Sequence, residues 1–200
     1  MKTLVIAVLV LAAVAAAPKK HAEYIPAQAG QYRPRLIREA HAAGGLAAPV
    51  PMFAAQIHQE STWQPARASG VGALGLAQFM PGTAGWIANL YPADLKPGAP
   101  MDPDWAMRAL VQYDYWLAKR LPKLQPGDEQ WAGALAAYNG GLGWVQKDQK
   151  IATGCNPALY FGCVGNVEDG RTAANLTQNR GYPERILHQL RPLYVSAGWN

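Results

Sequence analysis

Apolar residues recur at helical spacing along much of the chain, and no stretch alternates convincingly in the manner of a strand. Phe53, Ile57 and Glu60 stand at i, i+4 and i+7, and similar spacing returns in later segments. This pattern predicts helices over about residues 34–43, 51–60, 81–90, 103–121 and 131–140, and a last helix that begins at Pro183 and bends at Pro192. The predicted fold class is therefore mainly α.

Glycine and proline indicate where these helices begin and end. Pro34 suits the first turn of its helix, and Gly44-Gly45 stops it. Glycine is so frequent in residues 69–75 that this segment is predicted to be a loop. Residues 150–180 are rich in Gly, Asn, Thr and Asp, and we expect them to form the longest irregular stretch.

The N-terminus is typical of an export signal. Lys2 precedes an apolar run over residues 4–14, and Ala15-Ala16-Ala17 provides a cleavage site, so residues 1–17 are predicted to be a signal peptide. The run falls short of the roughly 20 residues that span a bilayer. An uncleaved N-terminal anchor is the alternative, and only then would the protein contact a membrane.

Beyond this leader, residues 18–32 contain Pro, Gly and Gln without a period and are predicted to be a linker. Residues 33–200 then form one domain, because half of the 200 residues are apolar and no change of composition divides the chain. The protein is expected to be exported and to act in the periplasm or as a secreted, wall-facing protein.

Charge and metal-binding residue types exclude several functions. The formal net charge is +5, but Lys and Arg are scattered, so no nucleic-acid partner is expected. A mildly basic soluble surface and an anionic wall polymer as partner explain this charge equally well. The four histidines are isolated from one another and from the cysteines, so neither a metal site nor a cofactor is expected.

The chain has two cysteines, Cys155 and Cys163. In an exported protein an even pair at this spacing most simply forms a disulfide that closes its own loop. Chain entropy for so short a loop gives a stabilisation of about 2–3 kcal/mol.

Glu60 is the candidate for acid chemistry. It shares a helix face with Phe53 and Ile57 and stands in the last turn, where burial and the negative end of the helix dipole both raise the pKa of a carboxyl group. A carboxyl that stays protonated near neutral pH can protonate a glycosidic oxygen. Taken alone, Glu60 would more simply be an exposed glutamate at a helix end, and its neighbours in the sequence reverse that interpretation.

Those neighbours carry a family resemblance. Five segments occur in order: Glu60-Ser61 followed by Ser69, residues 72–81, Thr83-Ala84, residues 137–141 and residues 179–182. Together, over about residues 34–195, they closely resemble the catalytic domain of the soluble lytic transglycosylase family. The cysteine-containing insertion and residues 175–182 also resemble phage-borne members of that family.

The resemblance implies a lysozyme-like, mostly helical fold with irregular Gly-rich loops. It also implies cleavage of the β-1,4 bond between N-acetylmuramic acid and N-acetylglucosamine in the glycan strands of peptidoglycan. Glu60 matches the single catalytic acid and base. It would protonate the leaving oxygen and then deprotonate the muramoyl C6 hydroxyl, so that a 1,6-anhydro end forms without water.

The resemblance also assigns substrate-binding residues. Ser61 and Ser69 match serines around the site, although bonds within the helix end or the loop fit them nearly as well. Gln78 matches a glutamine that faces the glycan. Tyr138 matches the tyrosine whose hydroxyl bonds the catalytic carboxyl. The remaining two positions are candidates for the site wall: Asn139 and Tyr182.

Two positions depart from the family pattern. Ala77 stands where many members have a methionine beside the peptide-bearing sugar, so the contacts of that subsite are undefined. Gln178 stands where a glutamate is frequent. Because an amide cannot act as an acid, the last motif supplies no second catalytic carboxylate.

Two other functions remain open on the sequence. A hydrolytic muramidase, similar to goose-type lysozymes, needs a second carboxylate to activate water, and Asp148, Glu168 and Asp169 are the acids available in the irregular region. A peptidoglycan-binding protein without turnover is the third possibility. The presence of Glu60 together with Gln78 and Tyr138 argues against it.

Overall fold

The structure, a computed structural model, describes residues 24–167, 170 and 172–200, apart from the side chains of residues 173–175. The predicted signal peptide and most of the predicted linker lie outside this part. Within it, nearly all regular structure is helical, and two isolated antiparallel bridges are the only strand-like pairing. The prediction of a mainly α fold is confirmed.

Nine α-helices follow one another in the described part of the chain. They are α1 (Ala29–Gly44), α2 (Val50–Ser61), α3 (Pro81–Leu90), α4 (Pro92–Leu95), α5 (Pro103–Ala118), α6 (Asp128–Gly140), α7 (Leu142–Ile151), α8 (Ala173–Glu184) and α9 (Arg191–Ser196). A 3₁₀ turn covers Val164–Asn166, and a π-helical segment, Arg185–Leu190, joins α8 to α9. The predicted helices at α2, α3, α5 and α6 are confirmed to within a few residues.

Helix α5 shows how local sequence sets a helix start. Asp102 is its N-cap, and the Asp102 carboxylate accepts a hydrogen bond from the backbone N–H of Trp105 at 2.8 Å. Pro103 follows at the first helical position, where a missing N–H costs nothing. Asp102 and Pro103 therefore have the N-cap and first-turn roles that the sequence predicts for them.

Helix α1 begins earlier than predicted. It starts at Ala29, and Pro34 lies inside it rather than in its first turn. Proline is tolerated there because the carbonyl that it leaves without a donor belongs to Gly30, which is exposed. Ala29 is fully buried, and the ring of Tyr32 stacks on Trp63 with centroids 5.8 Å apart. The last residues of the predicted linker therefore belong to the folded domain.

The C-terminal region also differs from the prediction. Helix α8 occupies part of the stretch expected to be irregular, and Pro183 lies inside α8 instead of starting the last helix. Helix α7, most of which precedes that stretch, was not predicted. Helix α8 packs on α6 partly through a polar residue: Asn179 is buried and donates from Nδ2 to the Ala136 carbonyl at 2.8 Å. Because an asparagine takes an interior position, the apolar pattern does not reveal this helix.

Helix α2 lies at the centre of the molecule. Every residue from 52 to 58 is buried, and α2 packs against α1, the π-helical segment and α9. Tyr194 of α9 fixes its C-terminal half, since the Tyr194 hydroxyl accepts from Trp63 Nε1 at 2.6 Å and lies 3.1 Å from His58 Nδ1. All three side chains are buried, so the end of α2 is held firmly.

The Gly-rich segment is the predicted loop, and it folds back on itself. Leu74 forms antiparallel bridges with Ala68 on one side and Phe79 on the other. Gly75 has a φ of 74°, and a Cβ there would lie 1.8 Å from the Pro100 carbonyl oxygen. Only glycine fits this position, which presses the loop against the chain before α5.

Cys155 and Cys163 form a disulfide that closes a loop after α7, with a sequence separation of 8.

No helix in the described residues is both long and apolar enough to cross a membrane.

Reduction of the disulfide between Cys155 and Cys163 is expected to lower the melting temperature, because the unfolded chain regains the conformational entropy that the cross-link removed, and about 2–3 kcal/mol of stabilisation is lost. Differential scanning calorimetry with and without reductant measures the change. A double variant, Cys155→Ser with Cys163→Ala, serves as the control and should not respond to reductant. Two free thiols in the oxidised, denatured protein would contradict the pairing.

Candidate active site

A cavity of about 480 Å³ lies at the C-terminal end of α2. The Gly-rich loop and the start of α3 form one wall, and residues of α5, α6 and α8 form the other. Five of the six residues predicted for catalysis or substrate binding line this cavity: Glu60, Ser69, Gln78, Tyr138 and Asn139. The cavity therefore unites segments that are far apart in the sequence.

Glu60 stands in the last turn of α2 and is partly buried. Removal of water from the carboxyl raises its pKa to about 7, although a hydrogen bond from Tyr182 and the positive charge of Arg67 act in the opposite direction. The protonated and ionised forms are thus both accessible near neutral pH. This supports the prediction made from the position of Glu60 on its helix.

The hydroxyl that bonds Glu60 belongs to Tyr182. Tyr182 is buried in α8, and its Oη donates to Glu60 Oε1. Tyr138 lines the cavity, but its Oη donates to the Ala77 carbonyl at 2.7 Å. The prediction that Tyr138 bonds the carboxyl is therefore wrong. It failed because no helix was predicted between residue 150 and Pro183, whereas α8 runs from Ala173 to Glu184 and brings the Tyr182 hydroxyl to Glu60.

Gln78 lines the cavity in a strained backbone conformation, with a φ of 49°. Its Nε2 donates to the Gly75 carbonyl at 2.8 Å and to the Arg67 carbonyl at 3.1 Å. Both amide hydrogens therefore hold the loop together. The carbonyl oxygen of the side chain is the group left for a ligand.

The two serines make hydrogen bonds within their own helix end or loop, which is the alternative to a role around the site. Ser69 Oγ accepts from the Ala73 N–H at 2.9 Å, and Ser61 Oγ donates to the Ile57 carbonyl at 3.2 Å. Ser69 nevertheless lies in the cavity wall. Its first role is to fix the turn of the Gly-rich loop.

The Asn139-Gly140 pair lies where α6 meets α8. A Cβ on Gly140 would lie 2.3 Å from Nδ2 of Asn179, so only glycine permits this close contact. Asn139 faces the cavity on the same turn. The contact sets the distance between α6 and α8, and hence between Tyr138 and Tyr182.

Glu60 is the only carboxyl group among the described residues that line the cavity. Gln178 also lies in the lining, and its side chain is an amide. Asp148 is buried on α7 and is absent from the lining. Glu168 and Asp169 lie outside the described residues. Within the part of the chain that is described, no group of His, Cys, Asp or Glu is arranged to hold a metal ion.

Sequence reasoning missed a buried polar pair behind Glu60. Gln56 stands one turn before Glu60 on α2, and its Nε2 lies 3.4 Å from Asp114 Oδ1 on α5. Both side chains are fully buried. Burial raises the pKa of Asp114 well above its usual value, and the nearby Glu60 raises it further. An aspartate within the apolar run of α5 was the sequence feature that could have revealed this pair.

The comparison with protein families agrees with this geometry. The model of the transglycosylase SLT domain family matches residues 35–160. The matched segment covers more than half of the chain and includes Glu60, Gln78 and Tyr138. The chain belongs to this family.

Two curated relatives are named as lytic murein transglycosylases. The chain is 33% identical over 159 residues to a membrane-bound lytic murein transglycosylase F of Pasteurella multocida, covering 70% of this chain and 31% of the relative. It is 33% identical over 131 residues to the soluble lytic murein transglycosylase of Escherichia coli K12, covering 64% of this chain and 18% of the relative. The chain thus spans less than a third of the length of these relatives.

A solved structure supports the fold. The 70-kDa soluble lytic transglycosylase of Escherichia coli superimposes with a TM-score of 0.59 and 23% identity, over 84% of this chain and 24% of that chain. The lysozyme-like fold expected from the sequence is therefore confirmed.

The buried carboxyl of Asp114 generates a stability prediction. Its pKa is raised in the folded protein, so as pH rises above the usual value the unfolded chain loses this proton first and unfolding is favoured. Asp114→Asn cannot ionise. The melting temperature of Asp114→Asn minus that of the wild type should therefore be higher at pH 8 than at pH 4.

Asp104→Asn is the matched control, because Asp104 stands on the same helix with its side chain 60% exposed. Its difference from the wild type should change less between the two pH values. A pH-independent difference for Asp114→Asn would show that Asp114 keeps an ordinary pKa.

Proposed function

We propose that the protein is a peptidoglycan lytic transglycosylase. It cleaves the β-1,4 bond between N-acetylmuramic acid and N-acetylglucosamine and leaves a 1,6-anhydromuramoyl end. The observation that carries this proposal is a single carboxyl, Glu60, whose pKa is raised to about 7 at the end of a cavity of about 480 Å³. The names of the curated relatives support the same reaction.

In the first step Glu60 acts as a general acid. The protonated carboxyl gives its proton to the glycosidic oxygen while the bond from that oxygen to the muramoyl C1 breaks. The N-acetylglucosamine leaves with a new hydroxyl. The Tyr182 hydroxyl, which bonds Glu60 Oε1, stabilises the carboxylate that forms.

In the second step the same carboxylate acts as a base. It removes the proton of the C6 hydroxyl of the muramoyl ring, and O6 bonds to C1 of that ring. Glu60 is protonated again, so no water is consumed and the acid is ready for the next cycle. The C6 hydroxyl has an entropic advantage over water because it is already attached to the reacting ring.

Hydrolysis would need a second carboxylate to activate water. Among the described residues that line the cavity, Glu60 is the only one with a carboxyl group. Gln178 is an amide, and Asp148 is buried elsewhere on α7. This supports the lyase over a hydrolytic muramidase. The hydrogen bond from Tyr182 to Glu60 also argues against a protein that only binds peptidoglycan, because a carboxyl with a pKa raised to about 7 is suited to proton transfer.

The proposed place of action is outside the cytoplasmic membrane, in the periplasm or as a secreted protein facing the wall. The predicted signal peptide and the disulfide between Cys155 and Cys163 support this, because disulfides persist in oxidising compartments. Glycan strands of peptidoglycan are the proposed partner, with no nucleic acid and no cofactor. The net charge of +5 suits an anionic wall.

The origin of the new muramoyl end tests the proposal. Digestion of purified peptidoglycan in heavy-oxygen water should give anhydro ends that carry no solvent oxygen, measured by mass spectrometry. Glu60→Gln, which keeps the size of the side chain but has no transferable proton, should lower the rate by about 10²–10⁴-fold or more. Solvent oxygen at most new ends would instead identify a muramidase.

The pH dependence tests the hydrogen bond to Glu60. Because Glu60 must be protonated in the first step, activity should fall as pH rises above about 7. The Tyr182 bond lowers the pKa of Glu60, so its loss in Tyr182→Phe should move this fall to higher pH. Tyr138→Phe is the matched control and should leave the midpoint in place. A shift in Tyr138→Phe alone would restore the assignment made from the sequence.

A further inference from the structure

An aromatic cluster continues from the cavity onto the surface of α3 and α5. Trp86 of α3 is 43% exposed. Its ring lies 5.9 Å from Tyr113 and 4.9 Å from Trp116, with interplanar angles of 72° and 82°. A partly exposed tryptophan in contact with two aromatic neighbours presents apolar ring surface of fixed orientation.

This surface adjoins the cavity on both elements. Tyr113 lines the cavity and also contacts Trp86. On α3, Thr83 lines the cavity and stands one turn before Trp86, on the same side of the helix. A polymer that leaves the cavity along this wall therefore reaches Trp86 next.

The two rings that contact Trp86 also have further contacts of their own. The Arg120 guanidinium lies 3.4 Å from the ring centre of Trp116, and Tyr113 packs on Tyr138 with centroids 5.4 Å apart. These contacts fix the rings on which Trp86 leans. Little conformational entropy is then lost when a ligand covers Trp86.

We propose that Trp86 is a stacking platform for a sugar ring of the glycan strand, next to the ring that occupies the cavity. The proposal rests on the proposed function, because it takes its ligand from that reaction. One face of a pyranose ring carries axial C–H groups, which pack against the electron-rich face of an indole. The hydroxyl groups at the ring edge stay in water, which suits the partial exposure of Trp86.

Binding of glycan fragments of defined length tests this platform without turnover. Glu60→Gln provides a protein that keeps its substrate, and calorimetry measures its affinity for short and long fragments of peptidoglycan glycan. Adding Trp86→Ala should weaken binding of the long fragments by about threefold to tenfold and leave the shortest bound fragment unchanged. Trp86→Phe should recover part of the loss, because it keeps an aromatic face.

Leu90→Ala is the matched control. Leu90 stands one turn further along α3 and is 40% exposed, so its loss removes a similarly placed apolar side chain without an aromatic ring. This variant should bind both lengths as the parent does. Circular dichroism melting checks that each variant is folded.

Three results would overturn the platform: equal weakening for short and long fragments, equal effects of Trp86→Ala and Leu90→Ala, or no effect of Trp86→Ala. Each can occur while Glu60→Gln still abolishes cleavage, and then the proposed function stands. If the Glu60→Gln protein binds no glycan of any length, the proposed function fails and takes the platform with it.

Discussion

The position of Glu60 depends on the burial of the middle of α2. Residues 52–58 are all buried, with α1, the π-helical segment and α9 packed against the helix, and its C-terminal end opens on the cavity lined by residues of α6 and α8. The core thus removes water from one side of the Glu60 carboxyl, and this raises its pKa to about 7. The same packing that stabilises the domain therefore raises the pKa of Glu60, and the cost of desolvating one carboxyl is offset by the apolar area that α2 buries.

Helix α8 completes the site from the far end of the chain. It brings Tyr182 to Glu60 because Asn179 bonds the Ala136 carbonyl and Gly140 lets the two helices approach. The π-helical segment after Glu184 follows directly, and its Arg185 Nε donates to Gln59 Oε1, next to Glu60 in the chain. Two adjacent residues of α2 are thus held by side chains from the same C-terminal helical unit.

The sequence predicts those parts of the structure that depend on residues close together in the chain. Helices α2, α3, α5 and α6 follow from apolar spacing, caps and glycine, and the raised pKa of Glu60 follows from its position on an apolar face. The partner of Glu60 does not, because α8 is held by Asn179 and not by an apolar stripe. The Gln56–Asp114 pair was missed for a related reason, since pairing across helices depends on packing that spacing along one helix does not define. The predicted start of α1 failed because Pro34 was read only as a first-turn residue.

A carboxyl that serves as acid and then as base must be stable in both charge states. Burial favours the neutral form of Glu60, whereas the Tyr182 hydroxyl and the Arg67 charge favour the ionised form. If burial acted alone, the pKa would be higher and the carboxylate would be costly to form in the first step. If the stabilising groups dominated, the proton would be absent before substrate arrived. A pKa of about 7 keeps the two forms within about 1.4 kcal/mol of each other over one pH unit on either side. Under the proposed reaction one residue can then carry both proton transfers, and the amide at Gln178 is compatible with that reaction because no second acid is needed.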